Sequence, residues 1–302
     1  MTSQTGSMGK QAGSAPSRPA RILLWLMQNW SGALGIALLL AIVVCALLAP
    51  WISPHNPTVP RLTARFSPPD ISLVQMGTYP LGTDQLGRDM LSRILHGSRV
   101  TLAVSLSAVL FGGVVGVILG TVAGYFGGMA DRIIMRLADL QLAFPIMLLA
   151  LMVIAVLGPN VVNLVVVLAL IGWTRFARIA RGEILSLRER EFVLSAVAAG
   201  ASPVRLISKH LLPNIATPML VVATLELARL ILMESSLSFL GLGVQPPDPS
   251  WGRMLADGRQ YLQSAWWLST FPGLAIMTVI LSVNLTGDWL RDFYDPKLKG
   301  VR

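Results

Sequence analysis

Glu226, Arg229 and Glu234 are charged residues inside an apolar stretch that runs from Ala216 to Leu242. An ionisable group in hydrocarbon is costly, and it is retained where it relays protons, lines a pathway or pairs with another charge. The plainer reading is structural: Glu226 and Arg229 stand at i and i+3 and can neutralise each other on one helix face. Glu234 reads as lying toward the outer end of its span, facing a partner or a pathway. Gly82-Thr-Asp-Gln-Leu-Gly87-Arg88-Asp89 imitates a phosphate-binding loop. Arg and Asp, however, stand where that loop needs Lys for the phosphates and Ser or Thr for magnesium. His55, His96 and His210 show no metal-ligand spacing, and no serine-nucleophile motif is apparent. Cys45 is the single cysteine, which excludes an internal disulfide and a cysteine-based metal site. No metal or cofactor site is therefore expected in this chain.

The elements that position these residues are built for lipid. Of 302 residues, 54% are hydrophobic and 13% charged, against roughly 25% charged in soluble domains. Six apolar stretches are predicted to span a bilayer: Ser31–Trp51, Val100–Ala123, Leu140–Leu157, Val161–Trp173, Ala216–Leu242 and Leu268–Leu290. The fourth is short and should continue into "TRFARIAR", with Arg175 and Arg178 snorkelling to the interface. With the N-terminus inside, 16 Lys and Arg fall on inner segments and seven on outer ones, which puts both termini in the cytoplasm. The net charge of +9 follows from this bias, and no nucleic-acid partner is expected. Residues 1–20 read as a disordered tail and not as a signal peptide. The outer loop of residues 52–99 opens with a proline-rich, extended part. Within it, residues 84–98 predict an amphipathic helix at the outer interface, its polar face formed by Asp89, Ser92, Arg93 and His96.

Between the fourth and fifth spans lies "SAVAAGASPVRLISKHLLPN", Ser195 to Asn214. The preceding "EFVLSAVAA" is a short helix, Gly200 suits a left-handed C-cap, and Ser202 with Pro203 forms an N-cap and first-turn proline for a second helix. Pro213 should end that helix before the fifth span. The product is a helix–glycine–helix elbow on the cytoplasmic side, with small residues that let another backbone approach closely.

These residues resemble the loop of the permease subunits of bacterial ATP-binding-cassette importers. Its pattern is Glu-Ala-Ala, three residues, Gly, nine residues, Ile, one residue, Leu-Pro. Here Leu194-Ser195-Ala196 is followed by Gly200 and by His210-Leu211-Leu212-Pro213, so the Gly, Leu and Pro match while the Glu and Ile are replaced. The stretches "YPLGTDQLGRDMLSRILHGSR", "GYFGGMADRIIMRLADLQLAFP", "ESSLSFLGLGVQPPDPSWG" and "GDWLRDFYDPKL" are similar to the C-type subunit of the dipeptide/oligopeptide/nickel permeases. The resemblance covers residues 21 to 302. It implies an all-α, six-span type I importer fold in the bacterial inner membrane. Residues 21–99 would be a first helix plus extracytoplasmic loop and residues 100–302 the permease domain. It implies a docking surface for the ATPase at Ser195, Ala196, Ala198, Ala199, Gly200, Ala201, Ser202 and Pro203, joined to the fifth span through His210, Leu212 and Pro213. The implied partners are a B-type permease, two ATPase subunits that carry ATP and magnesium, an extracytoplasmic binding protein and the bilayer. The implied cargo is a di- or oligopeptide, with nickel complexes or glutathione as the alternative. A proton-coupled secondary carrier is the rival of a different class.

Overall fold

The computed structural model describes residues 30–70 and 79–294. The tail expected at residues 1–20 and the last eight residues lie outside them. Nine helices are described: α1 (Trp30–Ile52), α2 (Met90–Phe126), α3 (Gly128–Ala143), α4 (Ile146–Leu157), α5 (Val161–Leu187), α6 (Glu191–Ala198), α7 (Pro203–Phe239), α8 (Trp251–Gly258) and α9 (Trp267–Tyr294). Among the described residues, α1, α2, α5, α7 and α9 are long and apolar enough to cross a membrane, and α3 with α4 make a sixth span only if counted as one bent unit.

The third span departs from the straight helix expected at Leu140–Leu157. The chain bends by 93° between α3 and α4. Pro145 lacks an amide hydrogen and forces the preceding residue out of the helical region; Phe144 accordingly sits at φ −91°, ψ 140°. The fifth span departs too. Pro213 does not end a helix there, because α7 runs unbroken through it. A π turn at Ile207–Leu211 precedes the proline, and the Leu212 amide bonds back to Ile207.

The core is the seam between α2 and α5. Gly112, Gly116 and Gly120 of α2 recur every four residues and face Ala169, Trp173 and Ala177 of α5. A Cβ at Gly112 would lie 2.8 Å from the Ala169 carbonyl oxygen, and one at Gly116 would lie 2.6 Å from the Phe176 Cβ. Small residues at this spacing let two backbones touch, the usual device for helix pairs in lipid. Leu164, Leu168, Ile171 and Ile184 of α5 pack with Leu230 and Leu237 of α7 into one apolar cluster. α9 closes the other side, with Thr224 of α7 against Gly287 and Trp289 against Gly32 of α1.

The amphipathic helix expected over residues 84–98 is not a separate element. Helix begins only at Met90, capped by the Asp89 carboxylate 2.9 Å from the Ser92 amide, and continues without a break to Phe126. The boundary drawn between residues 99 and 100 thus falls inside α2. Asp89, Ser92 and Arg93 are buried, and Leu86 is exposed. The polar face is turned inward because it has partners there. Asp84 accepts from Arg88 Nε at 2.7 Å and from Arg93, whose guanidinium also lies 3.8 Å from Asp257 of α8.

Candidate coupling elbow and intramembrane charge cluster

The elbow is a pre-shaped knob. α6 ends in a Schellman motif: the Gly200 amide bonds to Val197 O and the Ala201 amide to Ala196 O, at 2.9 and 3.0 Å. Gly200 takes φ +79°, where an L side chain is strained. A Cβ there would meet nothing within 4 Å, so the demand for glycine is one of backbone conformation and not of space. Ser202 caps α7, its Oγ accepting from the Arg205 amide at 3.4 Å, and Pro203 occupies the first turn. Val193, Leu206 and Leu211 are buried in the main core and anchor the knob.

The outer face of the elbow is apolar and small. Ser195, Ala198, Ala199, Gly200, Ser202 and Pro203 are exposed, and Ala196 and Ala201 are half-buried against the core. Around them Phe192, Leu194, Val197 and Val204 are exposed, Val204 at 76%. An exposed apolar patch of this kind is what a docking surface would present. His210 is half-buried, its ring tilted beside that of Phe192 at 6.5 Å. Leu212 packs on the core and Pro213 is exposed. The helix ends beside the elbow are fastened: Arg188 donates to Gly124 O at 3.3 Å, and Arg181 of α5 pairs with Asp131 of α3. The Arg181 hydrogen bond holds the Asp131 carboxyl below its ordinary range.

The intramembrane charges form two separate groups. Glu226 is fully buried and receives Arg229 Nη1 at 2.9 Å on one oxygen and Arg175 Nη1 at 3.3 Å on the other. The expected i, i+3 pair is therefore a triad. Arg175, expected to snorkel, turns instead to Glu226, while Arg178 pairs with Asp139 at 2.5 Å. Periodicity within one helix could not reveal Arg175, because it comes from α5. Glu234 does not face a partner or a pathway. It is fully buried, accepts from Ser238 Oγ at 2.8 Å and Ser235 Oγ at 3.3 Å, and Ser238 Oγ accepts in turn from the Val244 amide at 3.3 Å. This carboxylate pins the loop after α7.

The cluster around Asp84 was missed by sequence reasoning. Its signal was present in the stretch that imitates a phosphate loop. Gly82 and Gly87 both take positive φ, and the turn they make wraps Asp84 in the amides of Leu86 and Arg88 at 2.8 and 2.9 Å. Trp267 Nε1 donates to Thr83 O at 3.1 Å and locks the loop to the start of α9.

The profile of the binding-protein-dependent transport system inner membrane component matches residues 116–300. That of the N-terminal TM domain of oligopeptide transport permease C matches residues 20–69. Among curated proteins, the di/tripeptide transport system permease protein DppC of Pseudomonas aeruginosa is 43% identical over 89% of both chains. The dipeptide transport system permease protein DppC of Escherichia coli is 41% identical over 91% of this chain and 92% of that one. Among solved structures, an inward-facing form of the MetNI methionine ABC transporter superposes with a TM-score of 0.53 at 18% identity. It covers 68% of this chain and 98% of the other.

Proposed function

The chain belongs to the binding-protein-dependent transport permeases, in the oligopeptide and dipeptide C-type branch, and from that premise we propose that it is one half of the pathway of an ATP-driven di- or oligopeptide importer. The other half is a B-type permease. Two ATPase subunits dock on the elbow, and an extracytoplasmic binding protein delivers cargo to the outer face. The observation that carries this reading is the elbow: a rigid, capped, small-residue knob exposed beside the inner ends of the spans. A first span and an outer loop precede α2, and the permease core begins with that helix. Both termini lie in the cytoplasm of a bacterial cell.

Work flows through shape. ATP binding on the partner subunits closes them, and the groove that holds the elbow moves. The elbow is continuous with α7, and Arg188 and the α2–α5 seam tie it to its neighbours, so displacement at the knob rocks the spans. This is a two-state equilibrium biased by a ligand on another chain. The chain itself performs no bond-making step. That Glu226 is held by two guanidinium groups favours this reading over a proton-coupled carrier, since a relay carboxylate must be free to take up a proton.

Reconstitution tests it. Vesicles holding this chain, a B-type permease and both ATPases should take up dipeptide only with ATP and loaded binding protein, and the chain alone should not hydrolyse ATP. Uptake driven by a proton gradient without the ATPases would favour the carrier instead.

A further inference from the structure

The triad of Glu226, Arg175 and Arg229 is not neutral. One carboxylate faces two guanidinium groups, and no ion pair among the described residues brings either arginine a second acid. The carboxylate is fully buried, while the Arg175 and Arg229 side chains are 50% and 28% exposed. Each donates one bond to Glu226 and keeps further N–H groups free for another acceptor.

Both lie on helices long and apolar enough to cross a membrane. Arg229 lies ten residues before the end of α7 at Phe239, about 15 Å of helix and so about half of a 30 Å hydrocarbon core. Arg175 lies between Trp173 and Ala177, which meet Gly116 and Gly120 of α2. At that level α2 exposes Val115 and Ile118, and α7 exposes Leu225 and Leu232 to either side of Arg229. Lipid is a costly neighbour for a guanidinium there. The local packing shows what else it can face. On the α5 face that carries Arg175, Leu168, Ile171 and Gly172 are buried, Gly172 close to Glu226 and Leu230 of α7. From Arg175 onward the same face is open at Arg178 and Gly182. The pair sits where α5 and α7 part.

We propose that Arg175 and Arg229, oriented by Glu226, form a carboxylate-binding station on the translocation path, where they hold an anionic end of the cargo. Guanidinium groups bind carboxylates through paired, charge-assisted hydrogen bonds, and the surplus positive charge gives the site an appetite for one anion. Glu226 fixes both arginines and stops the site from becoming a deep trap, because the cargo competes with an internal carboxylate for the same donors. This inference rests on the peptide-permease reading.

The test uses the detergent-solubilised complex of both permeases and both ATPases, without binding protein, so that cargo selection outside the membrane does not intervene. Radiolabelled dialanine and dialanine amide are compared by equilibrium dialysis on wild type, Arg175→Gln, Arg175→Lys and Arg175→Gln/Arg229→Gln. The expected result is retention of dialanine by wild type, at least fivefold weaker retention of the amide, and a similar loss of dialanine in both Gln variants. Arg175→Lys restores part of it, and co-purification of the four subunits is unchanged. Equal retention of acid and amide, no retention by wild type, or no effect of Arg175→Gln overturns the proposal. Loss of the B-type partner from Arg175→Gln overturns it as well, because the missing carboxylate is then the partner's. ATP-driven uptake by the wild-type complex is measured alongside; its absence would refute the importer reading itself and not merely the station.

Discussion

At the scale of single residues, Gly200 is where sequence and geometry meet most tightly. Its φ of +79° with open space around it means that Gly200→Ala introduces strain without a clash, costing about 1–2 kcal/mol. The expected outcome is a frayed elbow: ATP hydrolysis by the assembled complex persists while uptake per ATP falls, read in the same reconstituted vesicles. Ala198→Arg makes the complementary measurement. Ala198 is exposed, so the chain's own fold tolerates the change within about 0.5 kcal/mol, whereas retention of the ATPases on purification should drop. Ser238 belongs to stability rather than coupling. Ser238→Ala removes a donor to Glu234 and an acceptor from Val244. Leaving buried polar groups unpaired costs about 1–3 kcal/mol, and a lower melting temperature with normal uptake per folded complex is the expected result.

At the scale of elements, the α2–α5 seam decides whether the spans pack at all. Gly116→Leu drives a side chain into the Trp173 carbonyl and Phe176, and overpacking of this kind costs about 1–3 kcal/mol or more. A fall in the thermal stability of the purified complex checks it, and Gly113→Ala, whose nearest neighbour is a Phe176 ring atom 3.4 Å from the added carbon, should cost far less. Apolar length revealed α1 and α9 nearly to their ends, because a span is written in composition; it gave the start of α5 at Val161 but stopped at Trp173, fourteen residues short of the helix end at Leu187. Caps were legible at Gly200, Ser202 and Pro203, because each is set by its immediate neighbours. The bend at Phe144–Pro145 was overlooked although Pro145 stands inside the stretch, since continuous hydropathy masked a local backbone veto. The amphipathic stretch over 84–98 was legible as a pattern but not in its placement: Arg93 finds Asp84 and Asp257 through tertiary contacts that periodicity does not encode. The same reason hid Arg175 behind the nearer Glu226–Arg229 pair.

At the scale of the whole molecule, the proposed orientation puts the loop of residues 52–99 and the elbow on opposite sides of the membrane. With Cys45 replaced, a cysteine at position 65 should react with a membrane-impermeant reagent from outside, and one at position 205 only after the inner face is opened. Both positions are exposed, so a failure to label reports sidedness and not burial; labelling of position 205 from outside would reverse the orientation and remove the docking role from the elbow. A single helix, α7, runs from the knob at Pro203 to the Glu234–Ser238 clasp that holds the loop after it. Its π turn pairs each amide five residues back instead of four, so Ile207–Leu211 stores one residue more than an α-helical turn would hold. That surplus sets the angular phase of everything downstream. Each residue of α-helix advances the azimuth by about 100°, so deleting one residue beyond Leu212 would swing Glu226 or Leu237 away from its neighbours, whereas deleting one within the turn would be absorbed by its tightening to α-helix. The turn is thus a vernier: it lets the elbow keep its own heading while the helix above keeps its register.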